Sequence, residues 1–153
     1  MNRLFIIFII FITINYTVDT ESEELKLPNN QKIEPFIKEM VFIIKEHSGY
    51  AIAHPKVFEN VIRHLKHTCH ALDPNVVIER PMPAPEIGLN KAIKYYISRN
   101  EETSIYQLIS SATDKFINLC RNYLYSDSEK KLLSIAKDIN SEFIIFYKNL
   151  SLN

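Results

Sequence analysis

The residues best suited to chemistry are three histidines spaced as His64-x-x-His67-x-x-His70, with Cys69 alongside. Side chains three apart on a helix are neighbours, so His64/His67 or His67/His70 could chelate zinc or copper. A helical wheel weakens that reading. With Phe58 at zero and 100° per residue, the three fall near about 240°, 180° and 120°, on the face opposite the apolar stripe. His64 and His70 are then too far apart to share one ion, and only Asp73 lies a turn away to complete a site. The expectation is a solvated polar face, with no metal and no cofactor assigned.

Other chemistry has less to stand on. Two glycines in 153 residues leave no room for a nucleophile elbow or a phosphate-binding loop. Cys69 and Cys120 fall on apolar faces, where a thiol is inert or bridged. They also lack the Cys-x-x-Cys spacing of a redox motif, and one intramolecular disulfide is the natural outcome. That bridge would close a loop of about 52 residues, worth on the order of 4 kcal/mol in the chain-entropy model. The adjacent carboxylates Glu23-Glu24 and Glu101-Glu102 stand at element boundaries and read as capping or solvated charges. Nothing in the pattern points to an enzyme.

The elements that carry these residues read as helices. Phe36, Ile37, Met40, Val41, Ile43 and Ile44 recur at helical spacing behind Pro35, and the punctuation at Ser48-Gly49 closes a helix over about 34–47. Its apolar arc is wide, so it should be the most central. His54-Pro55 opens a second helix, whose stripe runs through Val61, Ile62, Leu65, Cys69 and Leu72 to Asp73-Pro74. The third spans about 87–98, the fourth about 104–125, and the fifth about 127–148. Ser126-Asp127-Ser128-Glu129 supplies a capping box for the fifth. Between the second and third helices, Pro74, Pro81, Pro83 and Pro85 forbid helix, and Val76-Val77-Ile78 is expected to lie extended against the core. The sum is an all-α single-domain bundle of about five helices with a Pro-rich connector (34–150), preceded by a polar lead-in at 21–33.

The first twenty residues indicate destination. Arg3 precedes an uninterrupted apolar run, Leu4 to Ile12, with polarity returning at Thr13: the layout of a secretory signal peptide. Such a run is too short to cross a bilayer, which takes about 20 apolar residues. Cleavage near Glu21 leaves about 130 residues, enough for one core. Charge is balanced, 18 basic residues against 18 acidic, which gives no electrostatic case for nucleic acid or an anionic membrane. Asn149-Leu150-Ser151 is a glycosylation sequon at the C-terminus, and Asn15-Tyr16-Thr17 a second that is lost with the leader.

Together these features lead to the expectation of a secreted, non-enzymatic helical protein that binds a macromolecular partner, most simply a protein. Within the connector, Arg80 and Met82 are the candidate contact residues, since both types are enriched in interfaces and prolines reduce the entropy lost on ordering. The rival expectation is a carrier of a small apolar ligand such as a fatty acid or sterol. Lys45, Arg63 or Arg121 would then line its cavity.

Overall fold

The apolar spacing from Phe36 to Ile44 does build a helix, but the Ser48-Gly49 pair fails to end it. In the computed structural model α1 spans Ile33–Ala53, roughly a turn and a half beyond the expected stop. The structure describes residues 25–28, 31–78, 86–101 and 103–152. Ser48 is absorbed because its hydroxyl donates back to the Ile44 carbonyl at 2.6 Å, within the helix. Gly49 serves close packing: a Cβ there would meet the Asn140 amide nitrogen at 3.3 Å. The glycine is a contact surface for a neighbouring helix, not a terminator.

After α1 the chain turns through His54–Val57, closed by the Val57 N–H donating to the His54 carbonyl. Pro55 therefore lies in the turn, and α2 spans Phe58–Leu72. Beyond it, the Asp73 carboxylate accepts from the Asn75 backbone N–H at 3.0 Å and caps a 3-10 turn at Pro74–Val76. Val76 and Val77 are buried, but Ile78 is 83% exposed, so the segment expected to lie on the core leaves it after two residues. Gly88 sits where the chain returns. A Cβ at that position would lie 2.7 Å from the Leu72 carbonyl oxygen and from Pro74 Cδ, so only glycine lets α3 start against the end of α2.

α3 spans Leu89–Ile97, α4 Ser104–Tyr123 and α5 Glu129–Leu152. The capping box does not form as its sequence suggests. The Ser126 hydroxyl is buried without a hydrogen-bond partner, and the Ser128 carbonyl accepts the first amides of α5, from Lys131 and Leu132.

α1 packs against α5, α2 and α3, which makes it the central helix, while α4 closes the bundle against α3 and α5. Their shared interior holds Ile37, Ile44, Leu65, Phe116, Leu132 and Phe143, all essentially inaccessible. The Phe116 and Phe143 rings meet at 6.2 Å in a tilted pair. Leu25 and Leu27, in the segment preceding α1, also pack onto this core, so the polar lead-in is partly docked. The chain is thus an all-α bundle of five helices among the described residues. One disulfide, Cys69–Cys120, ties α2 to α4 with the Cα atoms 5.9 Å apart, inside the range a disulfide requires.

Candidate functional site: a histidine cluster between α1 and α2

The wheel placed the histidines of α2 on an open face, and the fold covers that face. At its C-terminal end α2 is buried all round: Thr68, Cys69, His70, Ala71 and Leu72 are each essentially inaccessible. This happens because α2 is surrounded by α1, α3, α4, α5 and the 3-10 turn, so no side of its last turn reaches water. His70, at 1% exposure, is a core residue and not a solvated one. His64 and His67 are half-buried, and what covers them is α1.

The covering residue is His47. Its Nδ1 lies 3.1 Å from His64 Nδ1. One of the two nitrogens must carry a proton and the other a lone pair for that contact to be a hydrogen bond. The His67 ring stacks on His47 with centroids 4.6 Å apart and planes 9° from parallel. Tyr50, one turn along α1, lies 5.3 Å from the His64 ring and 6.0 Å edge-on to His47. Its hydroxyl donates to Glu46, whose carboxylate is also held by Lys45 at 2.7 Å. Sequence reasoning missed His47 because periodicity within one helix says nothing about which residue of another helix lies across from it.

The cluster is neutral at ordinary pH for physical reasons. Burial pushes the His47 imidazole down from 6.5 to about 4, and the prospective charges of His67 and His64 add to the effect. His64 is also lowered, by burial first and then by Arg63 and His67. For His67 burial again leads, followed by His70 and Arg63. Protonation of any one raises the cost for its neighbours. Three neutral imidazoles therefore share one seam, although no group of three or more His, Cys, Asp and Glu among the described residues is arranged to hold a metal ion.

Elsewhere several polar side chains have structural partners. Glu34 accepts from Tyr96 at 2.7 Å and from Tyr106 at 3.5 Å; the hydrogen bond to Glu34 raises Tyr96 well above the usual phenol range. Arg121 reaches Asp73 at 3.4 Å, Arg63 donates to Asn60 at 2.8 Å, and Lys45 lies 4.8 Å over both Phe42 and Tyr147. The three cations expected to line a ligand cavity are thus engaged in local pairs. Clefts of about 430 Å³, beside His54 and Arg63, and about 320 Å³, beside Glu34 and Lys38, are open and rimmed by charge.

Of the other candidates, Cys69 and Cys120 are brought together as a disulfide. Arg80 and Met82 lie outside the described residues, as do the apolar leader and Asn15. Asn149 is exposed but on the last turns of α5, where the Ser151 hydroxyl is turned back onto the Tyr147 carbonyl. That helical backbone departs from the surface loop in which a used sequon is found. No helix among the described residues is long and apolar enough to cross a membrane. No family model matches the chain, and neither a curated protein nor a solved structure is significantly similar to it.

Proposed function

We propose that this is a secreted, non-enzymatic helical protein that acts by binding a macromolecular partner, with the Pro-rich connector as its contact surface. Export is supported by the apolar run behind Arg3 and by the Cys69–Cys120 bridge, since such bridges persist in oxidising compartments. The observation that carries the binding reading lies where the connector begins. Ile78 is 83% exposed beside Tyr125, itself 47% exposed, whose hydroxyl accepts the Ile78 N–H at 2.6 Å. An isoleucine and a tyrosine are thus held at the bundle surface by a backbone hydrogen bond, next to a segment that carries Arg80 and Met82. Aromatic residues, Met and Arg are the types that interfaces concentrate. The Phe116 and Phe143 rings, both fully buried, pack against each other at the bundle centre, which favours this reading over a carrier of apolar ligands.

Exchanging Glu79 to Pro85 for a Gly/Ser linker of equal length tests it, alongside native mass spectrometry of the chain isolated from its own secretion. The expected result is a protein partner in the parent complex, lost in the exchanged variant with an unchanged melting temperature. Binding retained in the variant, or a bound lipid in place of a protein, would overturn the reading.

A further inference from the structure

The contact between His47 and His64 has the dimensions of a ligand pair. A borderline divalent ion binds imidazole nitrogen at about 2.0–2.1 Å. Two such nitrogens on one ion stand about 2.9 Å apart at a right angle and about 3.3 Å apart at the tetrahedral angle. His47 Nδ1 and His64 Nδ1 are 3.1 Å apart, between these limits, and the two nitrogens come from separate helices that the bundle already holds together. His67, stacked on one face of His47, limits how that ring can turn. We propose that His47 and His64 form a two-imidazole site for a divalent transition-metal ion, with Cu²⁺ as the best fit and water completing its coordination.

Copper is favoured for two reasons. It stands at the top of the affinity order for nitrogen ligands among divalent first-row metals, and it accepts near-right-angle, tetragonal arrangements that two imidazoles and water can supply. Loading costs no net proton. The proton shared between the two Nδ1 atoms moves to Nε2 of the ring that carried it, a change of tautomer that frees both Nδ1 lone pairs. A metal-bound imidazole must keep its ligating nitrogen unprotonated, so acid is what would expel the ion. The charged neighbours are Glu46, tied to Lys45 and Tyr50, on α1, and Arg63 on α2. Glu46 is offset by Lys45, so Arg63 leaves the seam with one net positive charge, which limits it to a weakly held, exchangeable ion.

The test is titration of the full chain, disulfide intact and stripped of metal, with Cu²⁺ against a competing chelator at pH 7. Electron paramagnetic resonance then reads the coordinating nitrogens. One site with two coupled imidazole nitrogens is expected. His47→Gln and His64→Gln should each weaken it at least about tenfold and remove one nitrogen coupling, whereas His54→Gln should leave it unchanged. Equal affinity and unchanged coupling in both seam variants would mean adventitious copper binding and would overturn the proposal. Should either variant unfold, the parent protein still decides. Sub-stoichiometric Cu²⁺ must broaden the His47 and His64 ring resonances first, and broadening that begins at His54 overturns the assignment.

Discussion

α1 has two seams, and they handle buried polarity in opposite ways. Against α5, a neutral side chain makes the polar contact: the Asn140 side-chain N–H₂ donates to the Lys45 carbonyl at 2.7 Å and to the Ser48 hydroxyl at 3.2 Å, beside Gly49. None of those three groups titrates, so this hydrogen-bonded contact does not change with pH. Against α2, the polar groups are His47, His64 and His67, which meet one another more than they meet backbone. Hydrogen bonds to fixed amides and carbonyls lock a helix pair. Contacts among imidazoles leave lone pairs and a protonation state to be set by the surroundings. The first seam is structural; the second can respond.

The bridge that anchors α2 gives the largest expected effect. Replacing Cys69 and Cys120 by Ala should cost about 4 kcal/mol in denaturant unfolding. Protection from hydrogen exchange should fall in α2 before it falls in α5. Equal loss in both would show that the two seams are not separable. Next comes the locked seam: Asn140→Leu should cost about 1–3 kcal/mol, because two part-buried hydrogen bonds, to the Lys45 carbonyl and to the Ser48 hydroxyl, are lost together. The same change should leave the histidine titrations where they were, as NMR would record.

Acid sharpens the contrast in the other direction. All three seam histidines are lowered in the folded state, so the unfolded chain takes up protons first as pH falls. Their contribution to stability is therefore fully present above about 6.5 and is lost progressively as pH drops toward the folded value of about 4 for His47. Urea midpoints measured at pH 7.5 and 4.5 should differ more in the parent than in a His47→Gln/His64→Gln/His67→Gln variant. At pH 7.5 the smallest effect is expected. His64→Gln at this half-buried position should change stability by less than about 1 kcal/mol, since a neutral seam at that pH exerts no repulsion.

How much of this was legible in the sequence follows from the range of each signal. The five helices and the all-α class rest on spacing within single helices, and the Cys69–Cys120 pair on there being just two cysteines, so all three are legible. Gly49 was misread as a stop because its reason for being glycine, the Asn140 side chain, lies far along the chain. His70 was placed in solvent because a wheel assumes one covered face, whereas the last turn of α2 is enclosed on all sides. His47 drew no attention, for within α1 it is one polar residue beside Glu46. Its partner 17 residues on becomes apparent only when the two helices are laid together. Ser126 matched a capping motif, yet the backbone of Ser128 took the role, a local choice that motif spacing does not distinguish.

His47 lies half-buried with His64 and His67 in one seam between α1 and α2. Following each histidine ring by NMR from pH 8 to pH 3 tests it most directly. His47 is expected to stay neutral until about pH 4, with a midpoint that rises when His64 and His67 are replaced by Gln. A His47 midpoint near 6.5, unmoved by those replacements, would contradict it.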